Sequence, residues 1–107
     1  MFINYEEKEL INLFKGDPIY IYEKEAGMFI YSFSDSHGIK ITINVSIYEK
    51  ELILLISQKE EVILEHKLKN VESLISEDSC LRIHQCDAIQ DIIIQFTPNI
   101  LVSYMDN

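Results

Sequence analysis

The side chains best suited to chemistry in this chain are two cysteines flanking a histidine, a turn that gathers Asp, Ser and His, and several neighbouring carboxylates. Cys80, His84 and Cys86 offer thiolate and imidazole ligands of the kind zinc takes. On an extended strand all three share one face, but at ~3.3 Å per residue the cysteines stand about 20 Å apart, beyond the reach of one ion. A disulfide is excluded on the same ground, because bridged Cα atoms lie within about 7 Å. Both cysteines are therefore expected to be reduced and structural, and no metal is expected. Asp35, Ser36 and His37 supply an orienter, a nucleophile and a base in composition only. Such groups must converge in line, which neighbours in a tight turn do not do, so this segment reads as a turn.

Paired carboxylates can divide acid and base roles. Here Glu49 and Glu51, Glu60 and Glu61, Glu77 and Asp78, and Asp87 and Asp91 fall at strand ends and turns, where solvated charge is ordinary. Glu77-Asp78-Ser79 lacks the alternating ligands and loop glycine of a calcium clamp. Gly16, Gly27 and Gly38 each stand alone, so no glycine-rich loop cradles a phosphate. The chain is not expected to be an enzyme or to carry a cofactor.

What remains is surface. Eighteen Asp and Glu against nine Lys and Arg give a formal charge of -9. Nucleic-acid binding depends on cations that neutralise phosphates, so neither DNA or RNA nor an anionic membrane is an expected partner. An acidic domain is drawn instead to a basic protein by long-range attraction, unless the charge serves only solubility. Tyr20, Tyr22 and Tyr31 cluster near Glu23 and Glu25, and tyrosine brings contact area with a polar tip to an interface, although it is an equally good strand residue.

The elements that position these groups are legible in the spacing. Asn4 can cap a helix over Tyr5 to Phe14, with Leu10, Ile11 and Phe14 on one face, and Gly16-Asp17-Pro18 end it. Ile19 to Lys24 and Met28 to Ser34 read as a hairpin around Ala26-Gly27. After the Asp35–Gly38 turn, Ile39, Ile41, Ile43, Val45 and Ile47 alternate with Lys40, Thr42, Asn44, Ser46 and Tyr48, the period of two of a half-buried strand. Leu52 to Ser57, apolar on both parities, suggests a central strand covered on both faces. Gln58 to Glu61 turn the chain, and Val62, Leu64 and Leu68 share a parity with His66. Asn70 to Ser76 reads as a helical turn or an irregular strand. Strands near Leu81–Cys86, Ile92–Phe96 and Ile100–Tyr104 follow, separated by Asp87–Gln90 and Thr97-Pro98-Asn99.

Connections this short leave no room for crossover helices. The expected fold is therefore mainly β (α+β): an antiparallel meander of about six to eight strands with a short N-terminal helix, forming one domain over residues 1–107. With 48% hydrophobic residues the chain can bury a core without a metal or disulfide. No apolar run approaches the ~18 residues of a membrane span. Glu6, Glu7 and Glu9 stand where a secretory signal would be basic and then apolar, so a cytoplasmic protein is expected.

The stretch Ile41-Thr42-Ile43-Asn44-Val45-Ser46-Ile47-Tyr48-Glu49-Lys50-Glu51, then Leu68-Lys69-Asn70-Val71-Glu72 and Ile94-Gln95-Phe96-Thr97-Pro98-Asn99, resembles the immunity proteins of bacterial toxin–immunity pairs, including those of contact-dependent inhibition. That resemblance implies a cytoplasmic protein that binds a basic toxin domain, often a nuclease, with carboxylates standing in for phosphates. It carries over no individual residue. Acidity and expected exposure single out Tyr20, Tyr22, Glu23, Glu60, Glu61, Glu77, Asp78, Asp87 and Asp91 for the partner. Two other readings stay open: a module that binds a small molecule or peptide in a pocket closed by the helix, and a structural homo-oligomer subunit that pairs through a strand edge.

Overall fold

A computed structural model describes residues 2–106. The chain runs α1 (Glu7–Phe14), β1 (Ile19–Tyr20), a 3-10 turn at Lys24–Ala26, β2 (Met28–Ser34), β3 (Ile39–Ser46), β4 (Glu51–Gln58), β5 (Glu61–Leu68), β6 (Val71–Glu77), β7 (Cys80–Gln85), β8 (Gln90–Gln95) and β9 (Leu101–Asp106). The mainly β, antiparallel class with a short N-terminal helix is what forms. The meander divides into a larger sheet ordered β1-β2-β3-β4-β5 and a smaller sheet ordered β6-β7-β8-β9. Among the described residues, no helix is long and apolar enough to cross a membrane.

The alternation in β3 organises the larger sheet. Ile41, Ile43 and Val45 are buried, opposite Phe33, Tyr31 and Phe29 on β2 and Ile56, Leu54 and Leu52 on β4. Leu74, Leu81, Ile83, Ile92 and Ile94 of the smaller sheet join the same core. Helix α1 adds Leu10, Leu13 and Phe14; the Phe14 ring stacks on Tyr31 at 5.1 Å and meets Phe96 edge-on at 4.9 Å. Burying such rings stabilises the sandwich by ~2–3 kcal/mol each, before the cost of ordering them.

Local expectations are corrected in several places. The helix begins at Glu7 with Glu6 as N-cap and no side-chain cap hydrogen bond. Asn4 is drawn instead to the β6 edge, where its N–H donates to Glu72 O at 2.8 Å and its carbonyl accepts from Leu74 N at 2.9 Å. Only Ile19 and Tyr20 pair as a strand, because Glu23 to Gly27 close a tight turn in which Ala26 N donates to Glu23 O at 3.0 Å. Gly27, at φ +71, lies so close to Ile47 and Tyr48 that a Cβ would meet Ile47 Cγ1 at 2.5 Å. Strand β4 is interior to its sheet but has only one covered face: Leu52 and Leu54 are buried, whereas Ile53 and Leu55 are partly exposed.

Glu61 belongs to β5, and the turn before it is Lys59-Glu60, both residues in the left-handed region at φ 52 and 68. Asn70–Ser76 resolves into a strand, β6, with a bulge between Val71 and Ser73. Of the parity set on β5 only Leu68 is buried. A bulge opposite Ile56 and Ser57 shifts the register there, and β5 forms an edge of its sheet.

Candidate functional site

Hairpin turns alternate between the two ends of a meander, which decides where the acidic residues stand. The β2–β3, β4–β5 and β6–β7 turns lie at one end, where Ile100 N from the β8–β9 connection donates to Asp35 Oδ2 at 3.4 Å. The β3–β4 and β7–β8 turns lie at the other, joined by Val71 N to Lys50 O at 2.9 Å and Cys86 N to Asn70 O at 3.0 Å. Glu60, Glu61, Glu77 and Asp78 are thus brought to the first end. Asp87 falls at the second with Tyr22 and Glu23, which flank the turn whose Gly27 carbonyl accepts from Ile47 N at 2.9 Å. All of these are exposed, and the fold does not gather them into one patch. Glu60 shares its surroundings with Lys40 and Lys59, which line the same surface hollow.

Tyr20 is committed within the fold. Its hydroxyl donates to Glu7 Oε2 at 2.9 Å, and its ring meets Phe29 at 6.2 Å. Burial and the Glu7 carboxylate push its pKa up to about 12. Asp87 accepts a hydrogen bond from Asn70 Nδ2 at 2.8 Å.

The expected exposure fails at Asp91, which is 3% exposed. It is the second residue of β8 rather than part of a solvated turn. Arg82 Nε lies 2.5 Å from Asp91 Oδ2, His84 Nδ1 lies 2.7 Å from Asp91 Oδ1, and His84 Nε2 lies 3.3 Å from Glu72 Oε1. Desolvation acts to raise the Asp91 pKa, but hydrogen bonds from His84 and Arg82 and their charge outweigh it and hold the carboxyl below the usual range. The Asp91 contact in turn raises Arg82. Both His84 ring nitrogens face carboxylates, an arrangement in which only an imidazolium can donate twice.

The other chemical motifs stay apart. Asp35 accepts backbone N–H groups from His37 at 2.8 Å and Ile39 at 3.0 Å, so it closes its own turn and aligns no nucleophile. Desolvation acts to raise its pKa, and the N–H groups of Ile39, His37 and Ile100 overcome that to lower it. Cys80 and Cys86 are free thiols at the two ends of β7. Among the described residues no group of three or more His, Cys, Asp or Glu is placed to hold a metal. The hollows flanking α1 measure about 220 and 260 Å³ and mix polar with apolar walls. These are smaller than the ~300–1,000 Å³ of a typical ligand pocket.

The row from Glu72 to Arg82 lies on the outward face of the smaller sheet. Strand register puts Ile75 opposite Arg82, Arg82 opposite Ile93, and Asp91 opposite Met105, so these side chains share one face with Cys80, His84, Gln95 and Leu101. From β6 to β9 the sequence has no lysine: apart from His84, Arg82 is its one basic residue, against Glu72, Glu77, Asp78, Asp87, Asp91 and Asp106. Sequence reasoning missed this row because it weighed His84 only as a metal ligand beside Cys80 and Cys86. The available signal was the short β7–β8 turn, which sets His84 opposite Asp91 once both are read as strand residues.

No protein-family model and no curated protein matches the sequence. In fold, the chain is similar to a chain from the structure described as a contact-dependent growth inhibition toxin–immunity protein complex from Klebsiella pneumoniae 342, with a TM-score of 0.78, 22% identity and full coverage of both chains. At that identity the likeness is one of architecture, and it extends over the complete length of the molecule.

Proposed function

We propose that this chain is the immunity partner of a toxin–immunity pair, a non-enzymatic protein that binds a toxin domain in the cytoplasm and holds it inactive. The observation that carries the reading is the full-length fold likeness to a component of a contact-dependent growth inhibition complex. The charge of -9 supports the finer statement that the toxin domain is basic and acts on a polyanion, as a nuclease does. Carboxylates that compete with phosphate for the same cationic site suit an inhibitor of that kind.

The test is co-expression of this chain with the toxin domain encoded beside it. Restored growth and a co-purifying complex that weakens as salt rises are the expected results. A toxin that still kills in the presence of this chain, or a chain that itself cleaves RNA or arrests growth, would overturn the proposal.

A specific feature favours one other reading. Seven of the eight residues of β5 are exposed, and an uncovered edge strand is a template for pairing with a second copy. A concentration-dependent dimer in sedimentation that disappears when a proline is placed in β5 would support it.

A further inference from the structure

We infer that the outward face of the smaller sheet is the surface on which the toxin domain docks, meeting it with Arg or Lys side chains; this rests on the immunity reading above. The face combines an apolar floor with one sign of net charge. Leu101 is 56% and Met105 52% exposed on β9, with Ile93 beside them on β8 and Ile75 beyond Arg82 on the far edge strand, and Glu77, Asp78, Asp87 and Asp106 stand at the margins. Exposed apolar side chains rimmed by polar ones mark interaction sites, and interfaces are enriched in Met and Arg and depleted in Lys. This half of the chain has no lysine to repel a cationic partner, while its one arginine is already held by Asp91.

The outward face of the larger sheet does not make the same offer. It carries apolar residues too, Ile19, Ile30, Ile53, Leu55 and Val62, but Lys40 and Lys67 there balance Glu51 and Glu65, with Ser32, Thr42 and Asn44 between them. A face without net charge exerts no pull on a cation, whereas an acidic rim, opposite in charge to the partner, raises the rate of encounter. The smaller sheet is also ordered in advance. Arg82 and His84 are fixed by Asp91, and His84 also meets Glu72, so the rotamers at the centre of the face are set before any partner arrives.

The test uses the full chain and the purified toxin domain encoded next to it, with affinity and association rate measured at low and physiological salt. Leu101→Lys with Met105→Lys should weaken binding by about 100-fold, and Glu77→Lys with Asp78→Lys should slow association by about tenfold. Equivalent changes on the other sheet, Val62→Lys with Ile63→Lys or Glu60→Lys with Glu61→Lys, should leave affinity within about threefold. Thermal melts confirm that each variant folds.

If the wild-type chain binds but the Leu101 and Met105 variant binds equally well, this face is not the docking surface, and the immunity reading survives. Loss of binding only in the Val62, Ile63, Glu60 or Glu61 variants assigns the interface to the larger sheet. Should the Leu101 and Met105 changes abolish a homodimer and spare toxin binding, the face belongs to a second copy. A wild-type chain that binds no toxin removes both proposals.

Discussion

Replacing Asp91 by Asn tests the charged row at the centre of the smaller sheet. The side chain keeps its shape and loses its charge, and a single amide cannot accept from both Arg82 Nε and His84 Nδ1. The one amide nitrogen of Asn must face either Arg82 Nε or the Nδ1–H of an imidazolium His84, so at least one of the two charge-assisted hydrogen bonds is lost, each worth ~1.5–3 kcal/mol. The Arg82 and His84 side chains are 25% and 32% exposed, so water recovers part of that loss. The expected cost is about 2 kcal/mol at pH 7, or a fall of about 10 °C in Tm for a domain of this size.

The pH dependence has a definite sign. Asp91 has a folded pKa below its unfolded value, so its contribution is complete above the unfolded pKa and disappears as pH falls through the folded one. The gap between wild type and Asp91→Asn should therefore be full at pH 7 and close progressively below about pH 4. Urea denaturation followed by circular dichroism at pH 7, 5 and 3 reads both quantities. Equal stability at pH 7, or a deficit that persists undiminished at pH 3, would refute the argument that an ionised Asp91 anchors the row.

Three other substitutions have expected outcomes. Tyr31 is 1% exposed and its hydroxyl has no hydrogen-bond partner among the described residues, so Tyr31→Phe, which keeps the ring packing, should raise stability by about 1 kcal/mol in chemical denaturation. Lys59→Asn with Glu60→Gly should raise Tm by several degrees, since both positions are left-handed and Asn-Gly is the pair such a hairpin favours. Gly27→Ala should lower stability by about 2 kcal/mol or more in the same assay, because the added Cβ meets Ile47 Cγ1 at 2.5 Å in a backbone conformation that suits glycine.

Strands β2 and β3 were legible because they carry many β-branched and aromatic residues, in β3 at a period of two, and β4 as a short apolar run whose covered face its sequence did not specify; the Asp35–Gly38 turn was legible because its side chains bond to their own backbone. The candidate site was less legible. Acidity marked Glu77, Asp78 and Asp87 correctly as exposed, but it could not distinguish them from Glu60, whose neighbours in space include Lys40 and Lys59, nor from Asp91, whose charge is met by residues of the neighbouring strand. Tyr20 was read as free surface, yet it braces Glu7 on a helix distant in sequence.

By itself, the sequence determined the antiparallel class, the short connections, the absence of lysine beyond Lys69 and the overall negative charge. These follow from residue type and local spacing. Tertiary structure alone decided that the meander breaks into two sheets after Leu68, that Asn4 joins β6 instead of capping α1, and that Glu72, His84, Asp91 and Arg82 form one row. The physical reason is common to all three. Cross-strand hydrogen bonds and shared burial depend on which strands become neighbours, and that choice minimises the exposed apolar area of the whole chain, a quantity that no local window contains.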